Sequence, residues 1–315
     1  MVSRRRPHDQ HPATVDKACA ERGFYTIAAE DVEQTLRADH DPEAVEMVFA
    51  SLESEAAPII GAVLDGGFPL ASEHRLKLSL FAALQVTRGW RFRRDMNDLG
   101  TFAMRQYVEA LPLDRFRDWL CGQGMPSDDA SVAAFRARAI GPNGPRLTMS
   151  QPFAVQESLR MALEDISTHL FLRTWRLLRF SDDSLLMSDN PVGIWSPVPP
   201  GTDWPAGQDF SVGVANARMI CLPLNRRAAL AMIPGAGPDC TTDSGPTRAR
   251  HINMAVIQDA ERWIYHHPSD HPLDGIVIPP HAVFTDETVS ARDEPGGIRR
   301  ELHRVTRRVT KDPAM

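Results

Sequence analysis

The chain predicts an α+β fold, mainly helical through its N-terminal half, with antiparallel β-hairpins packed on helices in its C-terminal half. Three observations predict it. Apolar residues recur at helical spacing from residue 41 to 172, while hairpin-like β-favouring runs separated by turn residues begin at Trp175. The chain also has no internal repeat.

Asp41, Pro42 and Glu43 give a helix start: an acceptor, a proline at the first helical position and an acid beside the positive dipole end. The helix should reach Leu64 and stop at Gly66 and Gly67, with a kink or break at Pro58. At about 100° per residue, Val45, Val48, Phe49, Leu52, Ala56 and Val63 share a stripe. Glu46 and Glu53, seven residues apart, stack along its edge and can reach a neighbouring helix.

The next helix, capped by Ser72, carries the most informative stretch, Leu76 to Phe92, apolar almost all round yet holding Gln85 and Arg88 one turn apart. A buried guanidinium needs a carboxylate, an anionic ligand or a route to solvent, because leaving it unpaired costs several kcal/mol. Arg91, Arg93 and Arg94 are expected in its last turn, where cations oppose the negative dipole end. Further helices are expected near 101–110, 113–121 and 129–139, before the loop Gly141 to Pro145.

A long helix from Pro152 to Leu172 places Val155, Leu159, Ala162, Leu163, Ile166 and Leu170 on one face and His169 on its flank. A first hairpin is expected from Trp175–Phe180 through Ser181, Asp182 and Asp183 into Leu185–Met187. A second runs from Met219–Leu222 through Asn225 and Arg226 into Ala229–Ile233, with the loop Pro197 to Gln208 between the two. A helix over 247–265 and a strand at Ile276–Ile278 complete the pattern. The short run Phe24–Ile27 is a strand or an anchoring segment. The expected domain plan is a flexible head (1–22), one compact domain (23–286) with a helical part (23–140) and a mixed part (146–286), and a mobile tail (287–315).

Composition limits the function classes. The 315 residues are 43% hydrophobic and 24% charged, enough to bury roughly 75% of the unfolded surface. A formal charge of −6 argues against a general nucleic-acid coat. No apolar run approaches the ~18 uninterrupted residues of a membrane span, and no secretory h-region follows Arg4–Arg6. Cys19, Cys121, Cys221 and Cys240 lie far apart without a CxxC, which fits free thiols in the cytoplasm. No cofactor motif is legible, and no metal site is assigned: His266, His267, Asp270 and His271 match no zinc spacing.

Taken in order, these features resemble the domain-of-unknown-function 4238 family of prokaryotic proteins. The likeness rests on Phe24 and Tyr25, Glu46 and Glu53, Gln85, Arg88 and Arg93, Trp175, and the run Ser188-Asp189-Asn190-Pro191-Val192. It continues through Pro223 and Leu224 to Asn253 and Tyr265, covering residues 14–280. One departure is at the head, where only His8, His11 and Pro12 remain of a histidine and proline segment. The resemblance implies an α+β fold and no particular activity.

Two readings of the polar residues stay open. Glu46, Glu53, Gln85, Arg88 and Asp189, with Arg93, His169, Asn190 and Asn253 as ligand contacts, can form one interior site; carboxylates and a histidine beside a fixed arginine suit a metal-dependent hydrolase of phosphoesters. The same residues can be a structural Arg–Glu lock in a non-catalytic binding or regulatory protein. For Asp189, Asn190 and Pro191 the bland alternative is an Asx turn.

Overall fold

The computed structural model describes residues 1–3, 9–14, 24–31, 41–141, 143–196, 213–278, 282–294 and 298–309. Most of the expected head and the loop 197–208 lie outside them. The fold is α+β as expected, with a helical N-terminal half and strands in the C-terminal half.

Two compact units divide the chain, Met1–Phe92 with Gln151–Met315, and Arg93–Ser150. The first unit is therefore discontinuous in the chain, with the second inserted between its two segments. The first unit begins with α1 (Ala44–Leu64) and α2 (Ser72–Thr87). Asp41 accepts the Glu43 amide at 2.8 Å just before α1, so the start signal acts one turn early. Of the kink or break expected at Pro58, the break does not occur: the proline is carried inside one continuous helix. The stop falls at the glycines: Gly66 has φ +103°, and the Gly67 amide donates to the Ala62 carbonyl at 2.8 Å. By length and composition alone α1 is long and apolar enough to cross a membrane, with a mean hydropathy of 1.5 over 18 residues. Its Phe49, Ala56, Ile59 and Val63 are nevertheless buried in the core.

The second expected helix is two helices. α2 ends at Thr87, and α3 (Trp90–Ala110) starts after Gly89, with Trp90 to Phe92 belonging to the first unit. Within the second unit follow α4 (Leu113–Gly122) and α5 (Asp129–Ile140), whose Phe116, Leu120 and Val132 make a small core. Asp128 caps α5 by accepting the Ser131 amide at 3.0 Å. Back in the first unit, α6 (Gln151–Arg160) passes through a π-helical segment, Met161–Ile166, into α7 (Ser167–Phe171). A π turn rotates the helical register, and Leu163, expected on the buried face, is 55% exposed.

The central sheet has the order β4-β5-β6-β2-β7, with β2 (Thr174–Arg179), β4 (Gly193–Trp195), β5 (Met219–Asn225), β6 (Ala228–Ile233) and β7 (Cys240–Asp243). The β5–β6 hairpin is the expected second hairpin, with Ile220 opposite Met232 and a register shift at Pro223. The expected first hairpin does not form. β2 pairs antiparallel with β6 and parallel with β7, while β3 (Met187–Ser188) joins a separate small sheet, β1-β8-β3, with β1 (Val2–Ser3) and β8 (Trp263–Tyr265). Local turn chemistry at Ser181–Asp183 could not reveal this, because both partners of β2 lie more than 40 residues away.

Alternation across the sheet decides where the cores sit. Trp175, Leu177, Ile220, Leu222, Leu230 and Met232 face α1 and α2 in the larger core. Leu178, Cys221, Ala229 and Ala231 face the opposite core with α8 (Pro246–Asp259). Both sheet faces are covered, so these strands read as continuous apolar runs. α8 stops at Asp259 rather than 265, and Ile276–Ile278 follow a turn over 272–275 without forming a strand. In the expected tail, β9 (Ala282–Glu294) and β10 (Ile298–Val309) pair antiparallel.

Candidate functional site

The break between α2 and α3 moves Arg88 from the middle of a buried helix to its C-terminal cap. At that position the side chain leaves the core, and it is 24% exposed. Its guanidinium pairs with Glu53 on α1 and donates to Gln85 Oε1 at 2.9 Å. Gln85 itself is buried, so Arg88 satisfies an amide oxygen that would otherwise lack a donor. Tyr25 donates its hydroxyl to the Arg88 carbonyl at 3.2 Å and stacks edge-on against Phe49 of α1, ring centroids 4.5 Å apart. The segment Phe24–Ile27 is thus an anchor and not a strand.

The same corner meets the C-terminal half of the chain. Arg91, in the first turn of α3 and not in a last turn as expected, forms an ion pair with Asp259 at the end of α8. The other Asp259 oxygen accepts the Ile194 amide at 2.7 Å, and the Asp259 carbonyl accepts from Asn190 Nδ2 at 3.1 Å. Asn190 Oδ1 is buried without a hydrogen-bond donor and faces Gly89, where a Cβ would lie 3.0 Å from it. Glycine at 89 is what allows this approach. Trp90 carries the Arg262 guanidinium 4.8 Å above its ring and meets Phe24 edge-on at 4.9 Å.

Asp189 does not make the Asx turn. Its two carboxylate oxygens accept the backbone amides of Glu261 at 2.9 Å and Arg262 at 2.7 Å, tying the β3 turn to the chain beyond α8. Burial pushes its carboxyl above the ordinary carboxylate value, against the opposing pull of those amides. The local turn is held by Ser188, whose hydroxyl donates to the Asn190 carbonyl at 2.8 Å and accepts its amide at 3.1 Å. Asn253 is equally occupied: Oδ1 accepts the Leu186 amide at 2.9 Å, and Nδ2 donates to the Ser184 carbonyl at 3.0 Å.

Of the nine residues singled out in the sequence, Glu53, Gln85 and Arg88 are brought into contact, and Asp189 and Asn190 share one turn linked to Asp259 and Glu261. Glu46 makes no ion pair with Arg88, and His169 is exposed on α7 without a bond to the corner. Arg93 begins the second unit. Among the described residues no group of three or more His, Cys, Asp or Glu side chains is placed to hold a metal ion. The Glu53 carboxylate is engaged by a cation, that of Asp259 by a cation and a backbone amide, and that of Asp189 by two backbone amides.

Sequence reasoning missed three arginines. Arg75 of α2 pairs with Asp239, donates to the Phe171 carbonyl at 2.9 Å and lies 4.8 Å above the Trp175 ring. Arg173 is buried and held by backbone carbonyls, Val214 at 2.6 Å and Ala217 at 2.8 Å; desolvation lowers its pKa from the ordinary guanidinium value. For Arg91 the sequence pattern indicates a dipole role only. The signal for Arg91 and Arg75 was an arginine inside an apolar helix pattern, but no spacing names a partner more than 160 residues away.

The family model described as "Protein of unknown function (DUF4238)" matches residues 2–270. No curated protein and no solved structure matches the chain.

Proposed function

We infer, from the premise that this chain belongs to the DUF4238 family, that it is a non-catalytic binding or regulatory protein in which the α2–α3 corner is a structural latch. One observation carries the reading: Glu53, Gln85, Arg88, Asp189 and Asn253, all part of the family resemblance, are taken up by contacts within the fold. Arg88 is engaged by Glu53 and Gln85, Asp189 by two backbone amides and Asn253 by two backbone groups. A hydrolytic site needs polar groups turned toward a space where substrate can sit. A cytoplasmic location is part of the same proposal, in keeping with free Cys121, Cys221 and Cys240.

The test sets the latch against the phosphoester hydrolase. Purified protein is assayed for bound metal by elemental analysis and for hydrolysis of p-nitrophenyl phosphate and its diester with magnesium, manganese or zinc. The latch predicts no turnover above the metal alone. Metal-dependent turnover that Glu53→Gln abolishes while the melting temperature holds would overturn it.

A further inference from the structure

A basin of about 340 Å³ lies in the first unit, lined by Trp195 of β4, Arg218 and Met219 at the start of β5, Ile233 of β6, and Arg248 and His251 of α8. Its volume is in the range of small-ligand sites, roughly 300–1,000 Å³. Trp195 and His251 stack nearly parallel, 5.5 Å apart at 16°, and present a flat aromatic wall. Met219 and Ile233 supply apolar surface beside it.

Two arginines line this basin. The chain has a formal charge of −6, and Arg75, Arg88 and Arg91 each have a carboxylate partner. Arg218 and Arg248 are exposed, and among the described residues neither pairs with a carboxylate. Arg248 also sits in the first turn of α8, a turn without an acidic residue, where the helix dipole disfavours a cation. An anion between the two guanidinium groups would relieve both. A guanidinium offers a planar fork of donors matched to phosphate, and a ring attached to that phosphate has the Trp195–His251 wall to lie against.

We propose that the Trp195–Arg218–Arg248–His251 basin binds a phosphomonoester carried on a planar ring, the class to which nucleoside monophosphates belong. The two arginines hold the phosphate, and the aromatic wall with Met219 and Ile233 holds the ring. The site shares no residue with the latch, so it stands or fails separately from the reading of that corner.

The full-length protein is titrated by calorimetry with adenosine 5′-monophosphate, phenyl phosphate, adenosine and inorganic phosphate. Both ring phosphates are expected to bind, with adenosine and inorganic phosphate each about tenfold weaker or more. Arg218→Gln and Arg248→Gln are each expected to weaken the ring phosphates about tenfold, the loss of a charge-assisted contact, and Trp195→Leu to weaken them while leaving inorganic phosphate unchanged. Thermal melts of the three variants check the fold. The proposal is overturned if no ring phosphate binds at millimolar concentration. Inorganic phosphate binding as tightly as its esters, or folded arginine variants retaining full affinity, would overturn it too.

Discussion

Arg91 and Asp259 form an enclosed ion pair, their side chains 13% and 3% exposed. The pair joins the first turn of α3 to the last residue of α8, and the same carboxylate holds the Ile194 amide of β4. Three elements therefore depend on one aspartate. Asp259→Ala takes the carboxylate from an enclosed guanidinium and the acceptor from the Ile194 amide, and is expected to cost about 3–5 kcal/mol. The double variant Arg91→Met with Asp259→Ala should recover a clear part of that loss, since it removes the charge that the carboxylate neutralises. Urea unfolding of wild type, single and double variants measures both; a single variant as stable as wild type contradicts the assignment.

The Glu53–Arg88 pair is expected to behave differently. Glu53 is 47% exposed and Arg88 24%, so solvent screens their attraction. Glu53→Gln should therefore lower stability by about 1 kcal/mol or less, and the difference should shrink in 1 M salt. A loss of several kcal/mol, unaffected by salt, would place this pair in the core after all.

Asp189 gives a pH signature. Its carboxyl titrates above the ordinary value in the folded protein, chiefly because burial disfavours the charged form. Between the unfolded and folded pKa values the folded state binds more protons, so this group's contribution is complete below the unfolded pKa and is lost as pH rises through the folded one. Asp189→Asn cannot titrate. Relative to wild type, the variant should gain melting temperature as pH rises from about 4 to about 7; a difference that stays flat or falls counts against the buried carboxyl.

Gly193 is required by close packing. A Cβ there would stand 2.8 Å from Cys221 Sγ and 2.9 Å from Ala255 Cβ, closer than real Cβ contacts. Gly193→Ala is expected to cost about 1–3 kcal/mol, and Cys221→Ala to restore only part, because Ala255 remains. Denaturation midpoints of the two variants and their combination settle this.

Burial pushes the Cys221 thiol up to about 12, so it should stay protonated and inert to a thiol reagent at pH 8. Cys121 is exposed and should react at once. Mass mapping of labelled peptides before and after unfolding distinguishes the two; early label on Cys221 would show that its pocket opens.

The sequence by itself determined the fold class, the helix limits at Gly66, the α4 and α5 helices and the β5–β6 hairpin. These depend on interactions between residues close in the chain, such as caps, glycine stops, helical periodicity and a short turn. It also marked Glu53, Gln85 and Arg88 as partners, because an arginine in an apolar pattern demands one. Only the tertiary structure decided that Arg88 caps α2 beside solvent, that Arg91 pairs with Asp259, and that β2 lies between β6 and β7. Those choices turn on contacts between distant segments, whose free energy is set by burial and by which carboxylate or amide happens to face which cation. No local pattern carries that information.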